Sequence, residues 1–200
     1  MSDQSAGPRD RRDDGRPEQA RPRDRTGRPL PYGTDDVPLT EDHEPATVQE
    51  ALSLGIELWT AERFFEAHEC LEAVWHAAPD EDRDLWQGVI QIAVAGVHLQ
   101  RENPTGARTL LDRAASRLRG YPTGYRGIDV AGAVAFCEDA AARIDAEGLA
   151  GAPAPPRFPA TGDGAWFAAE PGATEPPSEP IPVRDSPAWR DAADARSARR

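Results

Sequence analysis

Three residues of the segment FFEAHECLEAVW, Phe64 to Trp75, have side chains and spacing that suit chemistry. His68 and Glu72 stand four residues apart, so on a helix they share one face and can ligate a single metal ion. His98 can supply a third ligand and leave one coordination position open for water. Glu69 is then the candidate general base on that water. This arrangement predicts a metal-assisted hydrolase as one function of the segment.

The same residues also fit two interpretations without catalysis. The sequence HECLE lacks the second histidine of an H-E-x-x-H zinc motif, and the chain lacks the E-x-x-H motifs of a ferritin-like dinuclear site. One alternative is a buried hydrogen-bond network that fixes the register of neighbouring helices. The other is a pocket that binds a small polar ligand or a peptide without transforming it. All three interpretations stay open at this point.

A second set of polar residues interrupts an otherwise apolar stretch, Leu85 to Leu99, which is typical of a helix buried in a core. Gln87, Gln91 and His98 lie within about 60° of one another when residues are placed at about 100° steps. Buried polar groups need partners, since each unsatisfied one costs about 1–3 kcal/mol. We therefore expect this stripe to face the polar residues of the preceding helix, which are His68, Glu69 and Glu72.

Five helices and no strand are predicted, because no period-two alternation persists between turn signals. A capping box begins at Thr47, and Asp80, Asn103 and Asp129 are the expected caps of the third, fourth and fifth helices. The expected helices cover residues 47 to about 61, 64–77, 80 to about 101, 104 to about 120 and 129–148. The fold class is therefore all-α.

A repeat relates two pairs of these helices. The first copy has the spacing of a tetratricopeptide hairpin, in which small residues let two antiparallel helices approach: Leu54-Gly55, Leu58, Phe64, Ala67, Leu71, Val74 and Pro79. A weaker copy follows 40 residues later: Val94-Ala95, His98, Pro104, Ala107, Leu111 and Ala114. We expect a compact five-helix domain of two such hairpins and a C-terminal helix.

Proline divides the chain of 200 residues into three parts. Of its 20 prolines, 7 precede Thr47 and 10 follow Gly148. The outer segments hold few aliphatic residues and cannot bury enough apolar surface to offset chain entropy. We expect a helical domain at 47–148 between disordered arms at 1–46 and 149–200.

Charge and cysteine usage narrow the function classes. The formal net charge of -12 repels phosphate backbones, so no nucleic-acid partner is expected. All 23 basic residues are arginine, which removes lysine Schiff-base chemistry. Cys70 and Cys137 lack CxxC spacing and fit a reducing cytoplasm. The stretch Leu85 to Leu99 is too short for a bilayer core of about 30 Å, so no membrane partner is expected.

Two segments in order, FFEAHECLEAVW and RDLWQGVIQIAVAGVHLQRENPTGARTLLDRAASRL, closely resemble domain of unknown function family 309. The resemblance covers about Ala51 to Leu118 and implies a small all-helical bacterial domain, with no activity attached. Glu102 stands where the family often has glycine. The positions that the resemblance marks as family-defining are Glu66, His68, Glu69, Glu72, Trp75, Gln87, Gln91 and His98.

These observations predict a polar pocket between the second and third helices, with Trp75 and Trp86 as aromatic walls. Periodicity alone assigns Glu66, with Ala73, to the exposed edge of the second helix. We expect a binding or scaffolding module for a small polar ligand, a peptide or a protein, and the metal-dependent hydrolase is the alternative. No cofactor is expected apart from a possible divalent metal. The predicted pocket residues are Glu66, His68, Glu69, Glu72, Trp75, Trp86, Gln87, Gln91 and His98.

Overall fold

A computed structural model describes most of the chain, over residues 21–34, 36–154 and 156–184. The chain divides into two compact units, the second of which begins at Glu41. The outer parts of the two predicted arms, residues 1–20 and 185–200, lie outside the described residues. Residues 41–46, which the proline pattern assigns to the N-terminal arm, are part of the second unit, which we call the helical unit.

The described residues before Glu41 form turns of their own. Asp24 Oδ1 accepts hydrogen bonds from the backbone N–H groups of Thr26 and Arg28, each at 2.9 Å, and from the Thr26 hydroxyl at 2.8 Å. A carboxylate that bonds the backbone two residues on is typical of a turn. The aspartate therefore organises this stretch locally.

Five α-helices occur in the described residues, in the number and order that the sequence predicts: α1 Val48–Thr60, α2 Phe64–Ala77, α3 Asp80–Gln100, α4 Pro104–Leu118 and α5 Val130–Glu147. Two short 3-10 helices flank α5, at Tyr125–Gly127 and Gly148–Gly151. Extended pairing over the same ranges is limited to isolated bridges. The all-α class is thus confirmed. None of the described helices has the length and apolar character needed to cross a membrane.

Side chains cap three of the helices in the described chain. Thr47, Asn103 and Asp129 each accept a hydrogen bond from the backbone N–H three residues on, at 3.0 to 3.2 Å. Each such bond satisfies one N–H group that the first turn leaves without a partner. The prediction of a cap at Asp80 is wrong, because α3 already includes Asp80 and Pro79 occupies the cap position without a side-chain bond.

Each helix packs against the next one along the chain, which gives the predicted helical hairpins. Small residues make the close approach possible. A Cβ at Gly55 of α1 would lie 3.1 Å from the Leu71 side chain of α2. A Cβ at Gly88 of α3 would lie 2.8 Å from the Leu118 side chain of α4, closer than real contacts allow. The sequence feature that suggested hairpins therefore has a direct steric role.

The turn between α1 and α2 ends the first hairpin helix with a Schellman motif. The backbone N–H of Arg63 donates to Leu58 O and that of Glu62 donates to Trp59 O, both at 2.9 Å. Glu62 has a φ of 58°, the left-handed conformation that the motif requires.

The turn between α3 and α4 repeats this geometry 40 residues later. Asn103 N donates to His98 O at 2.8 Å and Glu102 N donates to Leu99 O at 2.9 Å, with a φ of 56° at Glu102. The turns of the two hairpins thus have the same geometry, which agrees with the sequence repeat. The family resemblance has glycine at Glu102 because glycine adopts positive φ without steric cost.

Part of the predicted disordered tail packs against the helices. We call residues 156–184 the strap. Within it the side chains of Phe158, Phe167 and Ala168 are 9%, 1% and 0% exposed. The amino-acid composition describes the tail only on average, whereas burial depends on a few well-placed apolar side chains. The helical unit therefore includes more of the chain than the segment 47–148.

We predict that Glu102→Gly stabilises the helical unit. Glycine relieves the left-handed strain at this helix end, and we expect the free energy of unfolding to rise by about 0.5–1 kcal/mol. Glu102→Ala is the control, since alanine removes the same charge and keeps the strain. Urea unfolding of the full chain measures both variants. Equal effects of glycine and alanine would contradict the strain argument.

Candidate functional site

His68 lies half-buried on α2, against Phe65. Its Nδ1–H donates to the Phe65 carbonyl oxygen, and the two ring centroids are 4.8 Å apart. Burial lowers the pKa of His68, and the negative charge of Glu72 opposes this shift without cancelling it. Glu69 and Glu72 are exposed. This side of α2 therefore carries a neutral imidazole and two solvated carboxylates, not a buried polar stripe.

The polar stripe of α3 turns toward α4. Arg117 of α4 donates to Asp84, and Asn103 Nδ2 lies 2.9 Å from His98 Nδ1 at the α3–α4 turn. Gln91 is seven residues from each of Asp84 and His98, which on a helix is the same side, two turns away. Helical spacing thus puts Gln91 on the side of Asp84 and His98. His98 contacts Asn103 at the α3–α4 turn, not the glutamates of α2.

The three candidate metal ligands are separated. His68 and Glu72 are on the partly exposed side of α2, whereas His98 contacts Asn103 at the α3–α4 turn. Over residues 21–34, 36–154 and 156–184, no three His, Cys, Asp or Glu side chains are placed to hold one ion. The described residues therefore supply no metal-binding group, so the metal-dependent hydrolase with Glu69 as general base is not favoured.

Glu66 is buried, contrary to the exposed edge that periodicity predicts. Its carboxylate is 1% exposed and accepts Arg63 Nε–H at 2.7 Å, a second Arg63 N–H group, and the Glu41 backbone N–H at 2.9 Å. His43 Nε2 lies 3.4 Å away. Burial raises the pKa of the Glu66 carboxyl, but the hydrogen bonds from Arg63 and Glu41 outweigh it and the net pKa is lowered. Glu66 is an internal anchor for residues 41–43, not a pocket wall.

Each of the helices α2 and α3 carries a tryptophan, Trp75 on α2 and Trp86 on α3. The Arg83 guanidinium carbon of α3 lies 5.6 Å from the ring centroid of Trp75 on α2, which places this side of α3 against α2. Trp86 follows Arg83 by one helical turn, so it belongs to the same side, and it is fully buried. We call Trp75, Arg83 and Trp86 the indole seam.

Both indole N–H groups of the seam lack a hydrogen-bond partner within the part of the chain that the structure describes, although both nitrogens are buried. The same holds for Gln91 Oε1. Two other buried nitrogens without a regular hydrogen bond, His43 Nε2 and Arg83 Nε, still face carboxylate oxygens at 3.4 and 3.0 Å. The indole donors have no such counterpart among the described residues, and they are the two buried donors of the set that face no acceptor.

The seam lies within a segment with recognisable relatives. Residues 52–110 match the family Domain of unknown function (DUF309). This confirms the resemblance inferred from the two sequence segments. Trp75, Arg83 and Trp86 all lie inside the DUF309 segment, whereas α5 and the strap lie outside it.

Two curated relatives share part of the chain. It is 35% identical over 75 residues to "Uncharacterized protein YpuF" of Bacillus subtilis (strain 168), covering 37% of this chain and 41% of that protein. It is 28% identical over 82 residues to an "Uncharacterized protein" of Aquifex aeolicus (strain VF5), covering 40% of this chain and 25% of that protein. The chain thus spans less than half the length of either relative.

Sequence reasoning missed a second polar cluster, around Asp82 and Arg126. Arg126 Nε–H donates to Asp82 Oδ2 at 2.7 Å, and the Tyr125 hydroxyl donates to Asp82 Oδ1 at 2.7 Å. Burial, together with the hydrogen bond to Asp82, raises the pKa of Tyr125 to about 12. The two charged residues are 0% and 3% exposed. They stand 44 positions apart with no motif between them, so no local signal could have paired them.

We predict that Arg63→Met lowers the free energy of unfolding by about 3 kcal/mol, because it leaves the Glu66 carboxylate buried without its guanidinium. The double variant Arg63→Met, Glu66→Met should recover most of that loss. Arg108→Met is the control, since Arg108 pairs with the exposed Asp145 and should cost less than about 1 kcal/mol. Chemical unfolding at neutral pH measures all three. A loss at Arg63 no greater than at Arg108 would refute the buried anchor.

Proposed function

We propose that the helical unit is a binding module and that the indole seam is its binding site. The observation that carries this proposal is the pair of buried, unpartnered N–H groups of Trp75 and Trp86. An indole N–H can only donate a hydrogen bond. The group that completes the site is therefore an acceptor, which in biological ligands is most often a carboxylate or a carbonyl oxygen.

The charge beside the seam favours a carboxylate. Arg83 adds a cationic donor next to Trp75, and its own ion-pair partner, Asp80, has a fully exposed side chain. An exposed pair of this kind contributes little and exchanges readily with water or another anion. Charge-assisted hydrogen bonds to a carboxylate are stronger than neutral ones. The ligand class is therefore a small molecule or peptide that presents a carboxylate, with a carbonyl as the weaker alternative.

A third tryptophan of the core has a partner for its indole N–H. Trp59 is 1% exposed, and its Nε1–H donates to Pro156 O at 2.8 Å. Leaving a buried donor unpaired costs about 1–3 kcal/mol. Trp59 avoids this cost within the described chain, whereas Trp75 and Trp86 do not. Uncompensated costs of this kind are expected at functional sites.

A metal-dependent hydrolase is not favoured. Its three ligands are separated in the structure, and the described residues supply no substitute set. The seam itself contains donors and a cation, which suit an anionic ligand and not a metal ion.

The test is a titration of the isotope-labelled full chain with N-acetylated amino acids, each of which carries one carboxylate and one amide. We expect the indole N–H resonances of Trp75 and Trp86 to shift and that of Trp59 to stay in place. Arg83→Gln should weaken the response about tenfold, which corresponds to about 1.4 kcal/mol. Arg113→Gln, which removes an exposed arginine from α4, is the matched control and should change nothing.

Two results would contradict the proposal. The first is a uniform shift of all indole resonances, which would indicate a nonspecific response. The second is the absence of any response at millimolar concentrations of every probe, which would leave only water as the partner of the two donors.

A further inference from the structure

The strap contacts the helical unit at three places that are far apart along the chain. Its first residues lie against α1 at Trp59, its middle residues lie against the loop before α5 at Arg126, and its last residues lie against the start of α1 at Gln49. Its composition is rich in proline, which favours an extended chain. It thus crosses the unit in the manner of a bound peptide.

The first contact combines an aromatic side chain with a backbone hydrogen bond. Phe158 packs edge-on against Trp59, with ring centroids 5.3 Å apart at 79°. Pro156 O accepts the Trp59 indole N–H at 2.8 Å. Phe158 is therefore an anchor, and Pro156 is held through its main chain.

The second contact is centred on one arginine of the loop before α5, Arg126. The Arg126 guanidinium carbon lies 4.7 Å from the ring centroids of both Tyr125 and Trp166, so a strap tryptophan and a tyrosine of the loop before α5 both contact it. The main chains also pair, because Trp166 N donates to Arg126 O at 3.0 Å and Thr161 N donates to Gly127 O at 2.8 Å. The buried hydrogen bond from Arg126 to Asp82 holds the guanidinium in place.

In the third contact, the side-chain amide of Gln49 hydrogen-bonds the main chain of the strap. Gln49 Nε2–H donates to Glu179 O at 3.0 Å, and Gln49 Oε1 accepts Ile181 N–H at 3.1 Å. The adjoining main chain adds two bonds, Val48 N to Ile181 O at 2.8 Å and Val183 N to Ala46 O at 3.1 Å. An amide that bonds both a C=O and an N–H of an extended segment recognises the main chain and not its side chains.

The strap leaves space beneath it. A cavity of about 330 Å³ lies between its first residues and α5, lined on the helical side by Ile92, Ala133 and Phe136 and on the strap side by Pro156 and Pro159. Such a volume is within the range of ligand pockets. A segment with bulkier apolar side chains would fill it and would bury more surface than the strap does.

We propose that the face formed by Gln49, Trp59 and Arg126 is a peptide-binding surface, that the strap is its intramolecular ligand, and that a partner protein with an extended, proline-rich segment bearing aromatic anchors binds there by displacing the strap. Backbone hydrogen bonds combined with pockets for spaced side chains are the usual means by which folded domains bind extended peptides. This surface is separate from the indole seam and does not depend on it.

The test uses the full chain with a protease recognition sequence inserted after Ala154, so that one cut separates the strap from α5 without removing it. A fluorescent peptide of residues 156–184 is then added, and exchange is followed by anisotropy. We expect the cut strap to stay associated and the labelled peptide to replace it while the circular dichroism of the helices is retained.

Variants of the peptide and of the domain test whether the exchange is specific. A Phe158→Ala peptide should bind about tenfold more weakly, as expected for an aromatic anchor. A Glu170→Gln peptide, changed at an exposed position, should bind as the unaltered peptide does. On the domain, Gln49→Leu should weaken both peptides equally. Arg126 is left unchanged, because its removal would strand the buried Asp82.

Three results would overturn the proposal. The cut strap would leave without the labelled peptide binding if the face had no affinity for such segments. It would remain without exchange until the helices unfold if it were a permanent part of the core. The uncut chain would form a concentration-dependent dimer with exchanged straps if the true occupant were a second copy.

Discussion

The buried ion pair between Asp82 and Arg126 connects parts of the chain that no helix links. Asp82 is in the first turn of α3 and Arg126 is in the loop before α5, while Ala173 and Trp166 of the strap contact the same guanidinium. A buried carboxylate is stable only with a partner of opposite charge and further hydrogen bonds. The pair therefore helps to hold the loop and the strap against the start of α3. Glu66 with Arg63 does the same for residues 41–43.

Against that background the indole seam is an exception. The interior satisfies its carboxylates with arginines and satisfies Trp59 with a strap carbonyl, but it leaves the N–H groups of Trp75 and Trp86 without an acceptor in the described chain. The seam lies within the segment that matches DUF309, whereas the strap lies outside it. The proposed binding site thus lies inside the matched segment, and the strap lies outside it. Neither feature needs a metal or a reactive nucleophile.

Local signals predicted the helices well, and long-range contacts explain what they missed. The caps at Thr47 and Asn103 and the repeated hairpin turn follow from bonds between residues at most five apart. Periodicity places Glu66 at an exposed edge because its side chain is polar. It cannot foresee the pairing with Arg63 that allows the carboxylate to be buried. The sequence predicts that His98 of α3 faces α2, but angular position on a helix does not say which neighbour covers that side, and His98 contacts Asn103. Composition does not predict that the strap packs against the helices, because a few buried aromatic side chains outweigh its proline-rich average.

The most direct measurement is the environment of Trp86 Nε1 in a high-resolution crystal structure of the full chain, grown with and without an N-acetylated amino acid. We expect no protein oxygen within about 3.2 Å of that nitrogen, the usual limit for such a hydrogen bond. We also expect a ligand carboxylate oxygen at that distance in the crystals that contain the acid. A protein carbonyl that already accepts the Trp86 N–H would contradict the proposed site, because the seam would then be an ordinary part of the core with its hydrogen bonds satisfied.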